Sequence, residues 1–117
     1  MSYLLLVIEP TGQRATRSEA EGEEAFAQML HFADDLKARK LLLGVNSLVS
    51  DSTGARVQMR AGQRRVLDGP FAEAKEMVGG YFLVDCATRD EAVAIAAQCP
   101  AAAWATIEVR EIGPCYV

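Results

Sequence analysis

Apolar residues are spaced along this chain in two different periods, and the alternation between them predicts the order of elements. Tyr3 to Ile8 is a continuous apolar run closed by Glu9-Pro10-Thr11-Gly12, a pattern that suits a central strand buried on both faces. After a polar loop up to Arg17, Ser18 and Glu21 have the S-x-x-E spacing of a capping box, in which side chains satisfy the free amides of a first helical turn. Phe26, Met29, Leu30, Ala33 and Leu36 then recur on one helical stripe, with Glu23, Glu24, Gln28, Asp35 and Arg39 largely outside it. This helix is expected to cover a sheet.

A second β-prone run, Leu41 to Val49, ends in the turn cluster Ser50-Asp51-Ser52-Thr53-Gly54. Arg56 to Arg60 alternates polar with apolar, Ala61-Gly62-Gln63 can turn, and Arg64 to Leu67 returns, which predicts a hairpin partly open to water. Gly79 to Asp85 is a further apolar strand. Thr88 and Glu91 repeat the capping-box spacing ahead of a stripe of Ala92, Ile95, Ala96 and Cys99, and Pro100 disfavours helix at Cys99. A last strand runs from Ala105 to Ile112.

The order β-α-β, hairpin, β-α-β predicts one α+β domain over residues 1–117. Its form is a ferredoxin-like βαββαβ sandwich with an inserted β-hairpin and both helices on one sheet face. The other face would carry Leu4, Leu6, Leu42, Phe82 and Val84 into water, so a second copy is the expected cover and a homodimer the expected state.

Composition narrows the function classes. With 117 residues, 50% of them hydrophobic, the chain can build one ordinary core. A net charge of -4 repels nucleic-acid phosphates and anionic lipid, so direct nucleic-acid and membrane binding are not expected. The start MSYLLLVIEP has no basic segment, and its apolar run is too short for a signal or a membrane span, so a cytoplasmic location is expected. Cys86, Cys99 and Cys115 are odd in number and lack metal-ligand spacing. They read as reduced packing thiols, with no metal and no cofactor expected.

The candidate chemistry lies in Val66 to Phe82, VLDGPFAEAKEMVGGYF. Pro70 lacks an amide hydrogen and forces Gly69 toward extended geometry, which sets Asp68 at a rigid strand-to-loop corner. Asp68 either caps that corner or faces a pocket as a general base or cation-binding group. Phe71 reads as a hydrophobic plug or a stacking surface, and Glu73, Lys75 and Glu76 as a solvated turn or as pocket charge. Adjacent Gly79 and Gly80 indicate a bulge, or close approach of a ligand or another backbone, and Tyr81 joins them as a candidate pocket residue. Arg56, Arg60, Arg64 and Arg65 protect an exposed edge or bind a carboxylate or phosphate. Trp104 belongs to core, interface or a ligand wall, and His31 lies on the outer helix face.

Residues 68 to 85, DGPFAEAKEMVGGYFLVD, resemble the hallmark of the DGPF family of YCII-like (YCII-related domain) proteins. Leu42-Leu43-Gly44, Arg56-Val57, Cys99-Pro100-Ala101 and Ile107-Glu108-Val109-Arg110 extend the resemblance over essentially the whole chain. It implies a dimeric α+β barrel, in which paired sheets often enclose small-molecule pockets. Members are often labelled as accessory to transcription initiation through extracytoplasmic-function sigma factors, which makes a transcription-related protein an implied partner. More distant YCII proteins carry a His-Asp pair with the histidine on the first helix. That position falls near Ala27 here, and the only histidine is His31, so no such pair carries over.

Two function classes follow. One is a dimeric small-molecule-binding or regulatory protein. The other is a cofactor-free enzyme of the isomerase or lyase type in which Asp68 moves a proton. Gly69, Pro70, Phe71, Glu73, Lys75, Gly79, Gly80 and Tyr81 are the candidate binding residues around Asp68.

Overall fold

In a computed structural model covering residues 1–117, β1 (Ser2–Pro10) leads through a short 3-10 turn into α1 (Glu19–Ala38), and β2 (Leu42–Ser47) follows. The hairpin β3 (Ala55–Arg60) and β4 (Gln63–Asp68) comes next, then β5 (Glu76–Asp85), α2 (Arg89–Gln98) and β6 (Thr106–Glu111). Four strands form an antiparallel sheet in the order β2-β5-β1-β6, and β3 pairs only with β4. This is the ferredoxin-like α+β arrangement that the pattern predicts, with the hairpin as an insertion. No helix is long and apolar enough to cross a membrane.

The helices start where the capping residues place them. Ser18 Oγ accepts the Glu21 amide and the Glu21 carboxylate accepts the Ser18 amide, each at 3.1 Å. These bonds hold the Glu21 carboxyl below its ordinary range, because the Ser18 amide and hydroxyl favour the ionised form. At α2 the box is displaced. Thr88 Oγ1 accepts the Glu91 amide at 3.2 Å, but the Glu91 carboxylate reaches back to the Ala87 amide at 2.8 Å.

The core lies between the sheet and the helices. Tyr3, Leu5 and Val7 of β1 stand opposite Val84, Phe82 and Gly80 of β5 and share one face. That face meets Phe32, Ala33 and Leu36 of α1 and Ala92, Ile95 and Ala96 of α2, and the Phe32 and Phe82 rings meet edge to face at 5.2 Å. Cys86 and Cys99 are free thiols within this core, and burial pushes both upward in pKa, while Cys115 is exposed.

Two expectations about faces are corrected. Phe82 and Val84, assigned to the bare face, point into the helix layer, and Leu42 pairs with Val84 on that side. The uncovered face instead carries Leu4, Leu6 and Ile8 with Tyr81 and Leu83. The period-2 phase cannot be read in β1 and β5 because both strands are apolar on both faces. The α1 stripe divides in the same way. Met29, Ala33 and Leu36 pack on the core together with Phe32, whereas Phe26 and Leu30 stay about half exposed, at 51% and 52%. Beneath them the sheet offers Gly79 and Gly80, which have no side chains to fill the space.

The hairpin is exposed along both strands and turns through Ala61 and Gly62, both in the left-handed region (φ 52° and 74°). Val57 faces Val66 across it and both remain open to water.

Candidate binding cavity

The space between the first half of α1 and the sheet is a cavity of about 620 Å³. Phe26, Met29 and Leu30 form one wall, while Val7, Gly79 and Gly80 form the floor. Glu9, Arg14, Arg17 and Trp104 close one side with charge and an aromatic ring.

Glu9 continues the inward phase of Tyr3, Leu5 and Val7 and is only 2% exposed. A buried carboxylate needs a compensating partner, and Arg14, one turn later, supplies it. Its Nε donates to both carboxylate oxygens at 3.1 and 3.3 Å, and its Nη2 lies 2.5 Å from Oε1. Nη1 donates to the Leu48 carbonyl at 2.8 Å and Nη2 also reaches the Gly79 carbonyl at 3.4 Å. Arg14 thus joins the ends of β1, β2 and β5 while neutralising Glu9.

Gly79 is the extra residue of a bulge in β5, where the pairing with β1 slips between Val7 and Ile8. A Cβ on Gly79 would overlap the Glu9 carboxylate, and one on Gly80 would lie 2.8 Å from the Asn46 carbonyl. The glycine pair therefore accommodates the ion pair and the close approach of β2.

Arg17 has a different environment. Its guanidinium lies over the Trp104 ring at 4.4 Å and its Nη2 donates to Gln13 Oε1 at 3.4 Å. Gln13 in turn donates to the Trp104 carbonyl at 2.9 Å, so the three side chains support one another. No carboxylate pairs with Arg17; the ion pairs of the chain lie elsewhere.

The residues singled out in the motif do not converge on one place. Gly79 and Gly80 form the cavity floor. Tyr81 also borders this cavity, although it stands opposite Leu6 of the uncovered face, and Asn46 Nδ2 donates to its hydroxyl at 2.8 Å. Asp68 is exposed at the end of β4 and lines neither this cavity nor a second hollow of about 520 Å³ at the base of the hairpin. Phe71 and Glu76 do line that hollow, and Arg56 lies over the Phe71 ring at 4.0 Å. Glu73 and Lys75 are exposed, while the Lys75 carbonyl accepts the Thr11 amide at 2.9 Å and so ties the loop to the end of β1.

The corner itself is built by close packing. A Cβ on Gly69 would overlap the Asp51 carbonyl, the Gly69 amide donates to the Gly54 carbonyl at 2.8 Å, and a cis bond joins Gly69 to Pro70. The side chain that caps the corner is Asp51, whose Oδ2 accepts the Phe71 amide at 3.4 Å. Asp-Gly-Pro-Phe therefore seats the hairpin base on the Asp51–Thr53 turn.

Glu9, Arg14 and Arg17 escape a pattern-based search. Glu9 and Arg14 sit beside Pro10 and Gly12 and read as turn residues. The available signal is phase: counting inward from Tyr3 by twos reaches Glu9.

An uncharacterized protein of Rhizobium meliloti (strain 1021) is 47% identical over 49 residues, which span 42% of this chain and 40% of the relative. The match thus covers well under half the length of that curated relative. The model of the YCII-related domain matches residues 1–115, and the chain belongs to that family.

Proposed function

We propose that this protein is a homodimeric small-molecule-binding protein of regulatory type, with its ligand held in the cavity between α1 and the sheet. The observation that carries this reading is the cavity itself. Its volume, about 620 Å³, lies within the range of roughly 300–1,000 Å³ typical of small-molecule sites. Its walls are mainly apolar, and its charged side chains, Glu9, Arg14, Arg17 and Glu19, all come from the stretch between the end of β1 and the first turn of α1. Such an arrangement buries the body of a ligand and orients it by one end.

The dimer part of the reading rests on the uncovered sheet face. Leu4, Leu6, Ile8 and Leu83 form a contiguous apolar surface on the two central strands, and a second copy covers it without new elements. A transcription-related protein partner follows from the family resemblance and belongs with the regulatory role. A thermal-shift screen against cell metabolites tests the binding reading. It succeeds with a metabolite that raises the melting temperature of the wild type and not of Ala25→Trp, which fills the cavity from the α1 wall.

A second reading makes the protein a cofactor-free isomerase or lyase with Asp68 as acid or base. In its favour, the Asp68 carboxylate is exposed and the corner is capped by Asp51, which leaves Asp68 free for a ligand. Because Asp68 lines neither cavity of one chain, a second copy would have to close the site around it. Turnover that survives Asp68→Asn would remove this reading.

A further inference from the structure

We propose that the cavity beneath α1 takes an amphipathic organic carboxylate, with the carboxylate on the Arg17 guanidinium and the apolar body against Phe26, Met29, Leu30 and Phe82. This deepens the small-molecule-binding reading and rests on it.

The sign of the ligand follows from the charged groups around the cavity, taken one at a time. Four charged side chains line it: Glu9, Arg14, Arg17 and Glu19. Glu9 and Arg14 neutralise each other, and Arg14 also donates to two backbone carbonyls, so the pair presents no net charge to a ligand. Glu19 is exposed in the first turn of α1, where the free amides of the helix end already favour its charge. Glu21, the other carboxylate near this end, feels the Arg17 charge but forms no ion pair with it and is engaged by the Ser18 capping box. Arg17 alone is half-buried, fixed in place and without an anionic partner.

Its fixation matters for affinity. Stacking on Trp104 and the bond to Gln13 hold the guanidinium plane, and Gln13 is itself tied to the Trp104 carbonyl. A pre-positioned planar fork presents paired N–H groups, the geometry that a carboxylate accepts through both oxygens. The long charged side chain then loses little conformational freedom when the ligand arrives.

The remainder of the ligand is set by the opposite wall. Phe26 and Leu30 lie on α1 about half exposed, although large apolar side chains at helical spacing normally find cover. With Met29 and Phe82 they form a continuous apolar lining behind the Arg17 end. A small inorganic anion would leave that surface wet, and a neutral hydrocarbon would leave Arg17 without a partner. A carboxylate carrying an apolar chain or ring satisfies both.

Isothermal titration calorimetry with octanoate, octanol and octylammonium, against wild type, Arg17→Gln and Ala25→Trp, separates the two levels of the claim. Octanoate is expected to bind wild type at least about fivefold more tightly than the other two. Arg17→Gln should weaken octanoate about tenfold, as loss of a charge-assisted contact does, while octanol changes less than about twofold. Ala25→Trp should weaken every probe that binds. Equal affinity for octanoate and octylammonium, or octanoate binding unchanged in Arg17→Gln, overturns the carboxylate assignment and leaves the cavity reading standing if Ala25→Trp still blocks binding. Absence of binding by all three probes, or binding indifferent to Ala25→Trp, overturns both.

Discussion

Gly79 lies against Glu9 so closely that the two positions specify each other: a Cβ on Gly79 would overlap the Glu9 carboxylate and approach the Arg14 guanidinium at 3.0 Å. The carboxylate has little room to yield, because it is buried and held by Arg14. Gly79→Ala should therefore lower stability by about 2 kcal/mol, or about 8 °C in melting temperature, as overpacking of a tight site does. Thermal unfolding followed by circular dichroism checks this. A melting curve equal to wild type would mean that the close approach is not rigid.

The ion pair itself should respond asymmetrically. Removing Arg14 as Arg14→Met leaves the Glu9 charge buried and unpaired, and about 3–5 kcal/mol is the expected loss. Removing the charge of Glu9 as Glu9→Gln leaves Arg14, whose side chain is 35% exposed, able to turn toward water, and about 1–2 kcal/mol is expected. Denaturant titrations of both variants give the order. The reverse order would show that Arg14, not Glu9, is the group trapped in the site.

Much of this architecture is legible in the residue pattern, and the failures have a common physical cause. The Ser18 and Thr88 caps, the turn at Ala61-Gly62 and the α2 stripe are local signals with local mechanisms, and each lies where its residues indicate. What the pattern hides is phase in strands that are apolar on both faces, so Phe82 and Val84 are assigned to the wrong side and Glu9 is taken for a turn. The site was hard to see for a related reason. Asp68 to Phe71 is the most distinctive run in the sequence, but its glycine packs against Asp51 and its aromatic ring lies under Arg56 at the hairpin base. The cavity side chains instead come from β1, α1 and the turn before β6, far apart in sequence and joined only by the fold.

The uncovered sheet face predicts the assembly state. Leu6 stands on that face at the centre of β1, so Leu6→Glu places its charge in water in a monomer and in an apolar interface in a dimer. Wild type is expected to sediment as a dimer at micromolar concentration and Leu6→Glu as a folded monomer. Identical sedimentation of the two proteins would mean that this face is not the contact.

The thiols should differ sharply in reactivity. Burial raises the pKa of Cys86 and Cys99 and keeps them protonated near neutral pH, while Cys115 is exposed near the end of the chain. Titration of the native protein with an aromatic disulfide reagent should show one fast thiol per chain, and Cys115→Ser should abolish that phase. A second fast thiol in native protein would indicate that the α2 side of the core opens readily.

The central claim is that the space under the first half of α1 is a binding site, and native mass spectrometry of protein purified without denaturation tests it most directly. Wild type is expected to carry a small-molecule adduct that is lost on denaturation, and Ala25→Trp, with the space filled, should lack that adduct while remaining folded. An adduct of equal occupancy in both proteins, or none on wild type after incubation with a cell metabolite extract, would contradict the account.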